Sequence, residues 1–267
     1  MTTLKELSDL TGRRALITGA TGGLGKVMAQ TLAELGAGLV LVDRERADLL
    51  ALSVDLIERW GVKVECQVCD LEQQEHRTAL MDSLRGSGQG LNILINNAAF
   101  VGTSDLQGWG VPFELQTVET WRRALEVNLT AIFDLCKGLT PLLKVAPGAN
   151  IINMASIYGQ YGPDWSLYEG TSMSNPAAYG ASKGGVLQLT RWLSTTIAPH
   201  VRVNAISPGG IFRNQADAFV QRYETRTPLG RMATENDFRG VIAYLASDLS
   251  KYVTGQNLSV DGGWGVW

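Results

Sequence analysis

Short apolar runs alternate with longer amphipathic stretches along almost the whole chain. The runs are rich in β-branched residues, which is typical of strands, and the longer stretches have the periodicity of helices. Strands separated by helices need crossover connections, and such connections produce a parallel sheet. The alternation therefore predicts a doubly wound α/β fold, with a parallel sheet of about seven strands and helices on both faces.

The same pattern sets the bounds of these elements. The predicted strands are Arg14–Thr18, Leu39–Asp43, Val62–Cys69, Leu91–Asn96, Asn150–Ala155, Arg202–Ile206 and Asn257–Val260. The predicted helices begin near Gly23, Arg46, Glu72, Thr117, Ala177 and Thr234. We expect a single domain over residues 1–267, because no Pro-, Ser- or Gly-rich linker divides the chain.

Composition argues against several classes of protein. The chain has 267 residues, a net charge of −3 and no basic stripe, so nucleic acid is not an expected partner. Its apolar runs are far shorter than the roughly 20 residues that span a membrane, so no membrane is expected either. Three cysteines are too few for a disulfide scaffold, and two histidines provide no pair of metal ligands. We therefore expect a cytoplasmic location and no metal site.

A glycine-rich turn follows the first predicted strand and opens the first predicted helix. Gly19, Gly23 and Gly25 are spaced as G-x-x-x-G-x-G. Glycines at this place allow backbone N–H groups to approach a pyrophosphate at the positive N-terminus of a helix. Asp43 ends the second strand, 24 residues after Gly19, where an acceptor for ribose hydroxyls is expected. The glycines alone would also suit a flexible turn, but together with Asp43 they indicate a dinucleotide site.

Further segments follow in an order and spacing that one enzyme family shares. They are Cys69-Asp70-Leu71, Asn96-Asn97-Ala98-Ala99, Asn128, Ser156, Tyr179 with Lys183, and Ser207-Pro208-Gly209. Tyr-x-x-x-Lys by itself is a weak signal, since chance matches are common. The ordered set, with the glycine turn and Asp43, resembles the short-chain dehydrogenase/reductase (SDR) family over residues 11–263. Ala99 stands where that family has glycine.

The resemblance implies a role for each matching residue. It implies a Rossmann domain in which residues 11–100 mainly bind a dinucleotide and residues 117–263 carry catalysis and substrate binding. The implied catalytic residues are Asn128, Ser156, Tyr179 and Lys183. The implied cofactor-binding residues are Gly19, Thr21, Gly23, Leu24, Gly25, Asp43, Arg44, Asp70, Leu71, Asn97, Ala98, Tyr179, Lys183, Pro208, Gly209 and Ile211.

Tyr179 and Lys183 are four residues apart on one predicted helix, so their side chains share a face. A tyrosine is a poor base at pH 7, and a nearby ammonium favours its phenolate. Lowering a pKa by about three units takes roughly 4 kcal/mol. Tyr179 would then exchange the proton of an alcohol during hydride transfer, while Ser156 hydrogen-bonds the substrate oxygen. By the resemblance, Lys183 also holds the nicotinamide ribose, and Asn128 fixes a water that links Lys183 to solvent.

Two departures from the family concern the substrate. Ser156 and Tyr179 are 23 residues apart, where the family leaves about a dozen, and the extra residues include Tyr158 and Trp165. These rings would form a stacking wall for a substrate, or would only anchor the inserted loop. Arg213 stands where the family often has a threonine that holds the nicotinamide amide. Asn214 or Arg213 would replace this cofactor contact; otherwise Arg213 would face an anionic substrate or lie in solvent.

These features predict the reaction and the cofactor. Asp43 favours NAD over NADP, because a carboxylate accepts both ribose hydroxyls and repels a 2′-phosphate. Arg44 would favour NADP if it turned to that phosphate. We expect NAD-dependent interconversion of a secondary alcohol and a ketone, and the insertion is similar to that of members acting on sugars, sugar acids or polyols. The alternatives are an NADP-dependent ketoreductase of another substrate class and a nucleotide-binding module without turnover.

The predicted assembly is a homotetramer. The helices that carry Asn128 and Tyr179 have apolar residues on more than one face, so both sides need cover, and family members pair through such helices. The C-terminal segment, residues 264–267, reads Trp-Gly-Val-Trp and is too apolar for a free tail. We expect it to pack on a neighbouring subunit.

Overall fold

The strand β1 (Arg14–Thr18) is buried along its whole length and pairs with neighbours on both sides. The computed structural model describes residues 1–100 and 106–267. Within these residues the sheet continues with β2 (Gly38–Asp43), β3 (Val64–Val68), β4 (Ile93–Asn96), β5 (Asn150–Met154), β6 (Arg202–Pro208) and β7 (Asn257–Val260). The strand order is β3-β2-β1-β4-β5-β6-β7. All six adjacent pairs are parallel, so every strand ends at the same edge of the sheet.

Helices connect successive strands. In the described residues they are α1 (Leu4–Ser8), α2 (Gly23–Glu34), α3 (Arg46–Trp60), α4 (Gln74–Gly86), α5 (Val118–Leu125), α6 (Ala131–Lys144), α7 (Ala177–Thr196), α8 (Asp217–Arg226) and α9 (Arg239–Ala246). A π-helical turn, Glu126–Thr130, joins α5 to α6. Short 3₁₀ helices cover Phe113–Leu115, Ile157–Gly159, Trp165–Tyr168, Glu235–Phe238 and Asp248–Ser250. None of the described helices combines the length and the apolar character needed to cross a membrane.

The helix starts match the predicted ones to within a few residues. Thr117 caps α5 by accepting the N–H of Thr120 at 3.2 Å, so the helix begins at the next residue. Thr234 caps a 3₁₀ turn, and α9 begins only after that turn. Helices α1 and α8 are not among the elements predicted from the sequence. The capping box of Thr3 and Glu6 was an available signal for α1.

Alternate residues of the strands supply an apolar layer on each face of the sheet. Ile17 of β1 and Leu41 of β2 pack with residues of α2, α3 and α9. Leu16 and Val40, one position away on the same two strands, pack with residues of α4, α6 and α7. Successive side chains of a strand point to opposite faces, which explains this division. The prediction of a parallel seven-stranded sheet with helices on both faces is therefore confirmed.

A third apolar cluster is built from segments that follow β5, β6 and β7. We call its rings the aromatic cluster: Tyr158, Tyr168, Phe219, Tyr223 and Trp264. Trp264 is 1% exposed and stacks on Tyr223 with ring centroids 6.0 Å apart. The guanidinium of Arg226 covers the same indole at 4.3 Å. The expectation that the C-terminal segment packs on a neighbouring subunit is thus wrong for Trp264, because its ring is already buried by residues of its own chain.

Gly25 allows α2 to pack directly against the turn that follows β1. A Cβ at this position would lie 2.0 Å from the carbonyl oxygen of Gly19 and 2.8 Å from the Cα of Ala20. Both atoms belong to the backbone, which cannot yield as a flexible side chain does. The close approach of α2 to the end of β1 therefore requires glycine here.

Replacing Gly25 by alanine is expected to lower the free energy of unfolding by about 2 kcal/mol or more, because the added methyl group must displace backbone. Gly240→Ala in α9 is the matched control, since a Cβ there meets no described atom within 4 Å. The control should be neutral or stabilising by up to about 1 kcal/mol. Urea denaturation of the two variants and the wild type measures the difference. Wild-type stability of Gly25→Ala would contradict the packing argument.

Candidate active site

A cleft of about 660 Å³ lies where the strands end. Its lining comes from the turn after β1, the ends of β2 and β5, the segments after β3, β4 and β6, and helix α7. The strand order reverses between β1 and β4, and open α/β sheets form their ligand crevice at such a point. The predicted cofactor residues all line this cleft, as do Ser156, Tyr179, Lys183 and Arg213. Asn128, Tyr158 and Trp165 do not.

The glycine turn presents bare backbone to the cleft. Gly19 has a φ of +63°, and a Cβ there would lie 2.8 Å from the Cα of Ala98. Gly22 precedes α2 and has no side chain with which to cap the helix. The first N–H groups of a helix have no acceptor within it, so this turn offers them to a negatively charged ligand.

The turns after β1 and β4 are tied together by side-chain hydrogen bonds. The Thr18 hydroxyl accepts the N–H groups of Asn97 and Ala98 at 3.0 and 3.1 Å. The Asn97 amide donates in return to the carbonyl oxygens of Thr18 and Gly19 at 2.9 and 3.0 Å. In the structure Asn97 therefore holds the glycine turn in place as well as lining the cleft.

Asp43 lies at the end of β2 with its carboxylate held by the glycine turn. One oxygen accepts both the N–H and the hydroxyl of Thr21, at 2.9 and 2.7 Å. The other oxygen accepts the N–H of Arg44 at 2.8 Å, and the Arg44 side chain is exposed at the rim of the cleft. Thr21 thus orients the Asp43 carboxylate, which the sequence predicts to accept hydrogen bonds from ribose hydroxyls.

Ser156, Tyr179 and Lys183 come together in the cleft. Ser156 follows β5 and is 5% exposed, and its hydroxyl accepts the N–H of Tyr158 at 3.2 Å. Its hydroxyl lies close enough to the phenol of Tyr179 to lower the pKa of that group. Tyr179 and Lys183 lie one turn apart on α7, and Nζ of Lys183 is 5.8 Å from the centroid of the Tyr179 ring. An oxygen of a substrate placed beside Ser156 would therefore also meet the hydroxyl of Tyr179.

Burial governs the protonation of Tyr179 and Lys183. Burial raises the pKa of Tyr179 above its ordinary value. The interaction with Ser156 and the charge of Arg213 both lower this pKa, but their effect is smaller than that of burial. Burial also lowers the pKa of Lys183 to about 8, although Nζ donates to the carbonyl of Met154 at 2.7 Å. The spacing of Tyr179 and Lys183 in the sequence predicts that the Lys183 ammonium lowers the pKa of Tyr179. The net direction here is the opposite, because both side chains are removed from water.

Asn128 occupies the π-helical turn between α5 and α6 and is fully buried. Its Oδ1 accepts the N–H of Phe100 at 2.6 Å, and its Nδ2 donates to the hydroxyl of Ser182 at 3.1 Å. Ser182 donates in turn to the carbonyl of Tyr179 at 2.8 Å. Asn128 therefore bridges the segment after β4 and helix α7 from behind the cleft. Its part in holding a water stays a prediction.

Tyr158 and Trp165 are attached to the aromatic cluster. The Tyr158 hydroxyl hydrogen-bonds that of Tyr168 at 2.7 Å, and its ring meets Trp264 edge-on at 6.3 Å. Trp165 is 56% exposed, with its ring 5.7 Å from that of Tyr168. These contacts anchor the inserted loop, which is the alternative that the sequence left open. Neither residue lines the cleft that holds Ser156 and Tyr179, and a part for the two rings in stacking a substrate stays a prediction.

Sequence reasoning missed several charged and polar groups at the cleft. Glu72 and Arg123 form an ion pair with Oε1 and Nε 2.6 Å apart at the cleft wall. Gln215 accepts the N–H of Arg213 at 2.7 Å, and Arg213 is paired with Glu235 at 3.1 Å. No local motif marks these pairs, since the ion-pair partners are 51 and 22 residues apart along the chain.

The whole chain is similar to known proteins. A family profile described as enoyl-(acyl carrier protein) reductase matches residues 19–265. A tropinone reductase homologue of Arabidopsis thaliana is 33% identical, covering 96% of this chain and 91% of the relative. Trans-4-hydroxycyclohexanecarboxylate dehydrogenase of Sinomonas cyclohexanicum is 32% identical, covering 97% of this chain and 96% of the relative. The crystal structure of a gluconate 5-dehydrogenase from Burkholderia cenocepacia, in complex with NADP and tartrate, superimposes with a TM-score of 0.87. The two sequences are 27% identical, and the superposition covers 99% of this chain and 100% of the other.

The chain belongs to the short-chain dehydrogenase/reductase family. It is an oxidoreductase that acts on CH–OH groups with NAD or NADP. The cleft fits such a dinucleotide on its own geometry. The positions of Gly19 and Gly25 leave no space for a Cβ, the start of α2 suits a pyrophosphate, and Asp43 is held where a ribose acceptor is needed.

The lowered pKa of Lys183 predicts a pH dependence of stability. Between the folded value of about 8 and the ordinary value of 10.5, the unfolded chain binds the proton that the folded chain has released. Stability contributed by this group therefore rises with pH across that window, by up to about 1.4 kcal/mol per pH unit. Below pH 8 the full cost of the buried charge remains.

Lys183→Met removes this titration, so the free energy of unfolding of the wild type minus that of the variant should increase from pH 7.5 to pH 9.5. Urea denaturation at several pH values measures the difference. Lys251→Met is the control, because Lys251 is exposed and its difference from the wild type should stay flat. A flat line for Lys183→Met as well would show that its pKa is not lowered.

Proposed function

We propose that this protein is an NAD-dependent oxidoreductase that interconverts a secondary alcohol and a ketone, with Tyr179 as general acid/base. The observation that carries the proposal is the meeting of Ser156, Tyr179 and Lys183 in the cleft beside the glycine turn. Residues 11–100 would mainly bind the cofactor, and residues 117–263 would carry catalysis and substrate binding.

Each catalytic side chain has a separate task. A bound nicotinamide ring supplies the hydride acceptor or donor. Tyr179 takes the alcohol proton in oxidation and returns it in reduction. Ser156 donates a hydrogen bond to the substrate oxygen, where negative charge develops. Lys183 favours the phenolate when it is charged and would hold the nicotinamide ribose, and Asn128 positions α7 through Ser182.

The arrangement at β2 supports NAD rather than NADP. The carboxylate of Asp43 is fixed by Thr21 and would accept the ribose hydroxyls, whereas a 2′-phosphate there would be repelled. The similar gluconate 5-dehydrogenase was solved with NADP, so family membership leaves both cofactors open. Arg44, exposed beside Asp43, is the group that would support the alternative, an NADP-dependent ketoreductase.

The proposed substrate is a small polar molecule of the sugar, sugar-acid or polyol class. One similar protein supports this class by name, a gluconate 5-dehydrogenase, and a second is named for a cyclic hydroxy acid that lies outside the class. In this proposal Ser156 and Tyr179 touch the reacting oxygen, and Tyr158 and Trp165 shape the site by anchoring the inserted loop. A panel of these alcohols assayed by NAD⁺ reduction identifies the class.

We also propose a homotetramer in the cytoplasm. Trp121 of α5, Phe133 of α6 and Trp192 of α7 are 38%, 46% and 55% exposed. A contiguous exposed apolar patch marks a contact surface, and in this proposal the three rings belong to such a patch. The cytoplasmic location rests on composition, since three free cysteines are compatible with a reducing compartment.

Tyr179→Phe should abolish turnover while NADH still binds, because the hydroxyl transfers the proton and the ring only packs. Rates on the best substrate of the panel and NADH titration by fluorescence measure the two effects. Tyr252→Phe is the control, since Tyr252 is fully exposed, and it should keep the wild-type rate. Retention of more than about a tenth of the rate by Tyr179→Phe would remove Tyr179 from the acid/base role.

The wild type should prefer NAD(H) over NADP(H) in kcat/KM by roughly tenfold or more, since a carboxylate opposes the 2′-phosphate. Asp43→Asn should narrow this preference, because the amide keeps the size of the side chain and loses the charge. Arg44→Ala should weaken NADP(H) more than NAD(H), because only NADP(H) has the 2′-phosphate that the guanidinium could reach. Equal kcat/KM for the two cofactors in the wild type would mean that Arg44 outweighs Asp43.

A further inference from the structure

The guanidinium of Arg213 lies against the glycine turn. Its Nη2 is 3.1 Å from the position that a Cβ at Gly23 would occupy, and Oε1 of Glu235 is 2.8 Å from the same point. Nε of Arg213 and Oε1 of Glu235 are 3.1 Å apart, so an ion pair spans the space over the first residue of α2. Arg213 also lines the cleft.

Backbone pairing places these two side chains beside each other. The N–H of Phe212 donates to the carbonyl of Ala233 at 2.9 Å, and the N–H of Ala233 donates to the carbonyl of Gly210 at 2.9 Å. This short parallel bridge runs next to both members of the pair. Gln215 fixes the backbone of Arg213 by accepting its N–H at 2.7 Å. The fold therefore sets the backbone of Arg213, and Glu235 holds the guanidinium of its 54% exposed side chain.

Arg213 differs in its position from the other basic side chains that line the cleft. Four basic side chains occur among the described lining residues. Arg44 follows Asp43, Arg123 is paired with Glu72, and Lys183 donates to a backbone carbonyl below Tyr179. Arg213 is the one of these four whose guanidinium lies beside Gly23 at the start of α2. A pyrophosphate seated on these helix N–H groups carries two negative charges and would lie within reach of it.

We propose that Arg213 binds the pyrophosphate of the dinucleotide, and that Glu235 is the partner it exchanges for the phosphate. The inference rests on the proposed function and replaces the interpretation of Arg213 as a substrate residue. A guanidinium suits a phosphate, since its fork of N–H donors matches two oxygens. An ion pair with both side chains partly exposed is weak, so the phosphate can displace the carboxylate at little cost.

The carboxylate of Glu235 has a second consequence. It lies as close to Gly23 as the guanidinium does, so it repels any phosphate at the same place. Arg213 and Glu235 therefore act on the cofactor in opposite directions. Removal of the arginine should weaken binding, and removal of the negative charge alone should strengthen it. If the ion pair only stabilised the loop, substitution of either Arg213 or Glu235 would weaken cofactor binding.

The test measures binding to the full chain without turnover. NADH, ADP-ribose and adenosine are titrated by calorimetry against the wild type and Arg213→Ala. The variant should bind NADH and ADP-ribose roughly tenfold or more weakly, since it loses a charge-assisted contact, and adenosine should be unaffected because it carries no phosphate. The affinity of the wild type for ADP-ribose should also fall more steeply with salt than that of the variant.

Arg231→Ala is the matched control. Arg231 is 51% exposed and paired with Asp237 in the same segment, but it does not line the cleft. It should leave all three affinities unchanged. Arg213→Lys should restore part of the ADP-ribose affinity, since the charge returns without the fork.

Glu235→Gln should bind ADP-ribose a few-fold more tightly than the wild type. Weaker binding by Glu235→Gln, or unchanged ADP-ribose affinity of Arg213→Ala, would overturn this inference and leave the cofactor assignment standing. A raised KM for an acidic substrate with unchanged NADH affinity in Arg213→Ala would return Arg213 to the substrate. Failure of the wild type to bind either dinucleotide ligand would overturn the proposed function together with this inference.

Discussion

The junction of β1 and β4 is the constraint on which the rest of the site depends. The strand order reverses there, so the connecting segments leave the sheet in opposite directions and a crevice opens between them. Thr18 and Asn97 hold the two strand ends together through four hydrogen bonds. Gly19 can make this approach because it has no Cβ. The start of α2 and the acid at the end of β2 are positioned by this junction.

The proposed acid/base residues show a conflict between burial and charge. Removal from water favours the neutral forms of both Tyr179 and Lys183, because it raises the pKa of the first and lowers that of the second. A phenolate in this place therefore needs positive charge from its surroundings. Arg213 supplies a small part of it in the structure. An oxidised nicotinamide, when bound, would add positive charge next to Tyr179, so the pKa of Tyr179 would fall and a larger fraction of it would be phenolate at neutral pH.

The sheet and the cleft lining were predictable from sequence because local patterns encode them. Strands such as β2 are short apolar runs, and the residues that contact a cofactor in the family follow strand ends. The side chains of Tyr158 and Trp165 were not predictable. Whether an aromatic ring faces a substrate or a neighbouring ring is decided by contacts between distant segments, here with the chain end at Trp264. The ion pair of Arg213 and Glu235 was not predictable for the same reason, because it joins two segments that are distant in sequence.

The strand order also has a consequence for how the chain is assembled during synthesis. β2 pairs with β1, β3 adds to the outer edge of β2, and β4 adds to the other edge of β1. β5, β6 and β7 then extend that side in the order in which a ribosome makes them. Every new strand meets an open edge, and none has to insert between two strands that are already paired. The sheet can therefore grow outward from its first strand as the polypeptide emerges, N-terminal segments first.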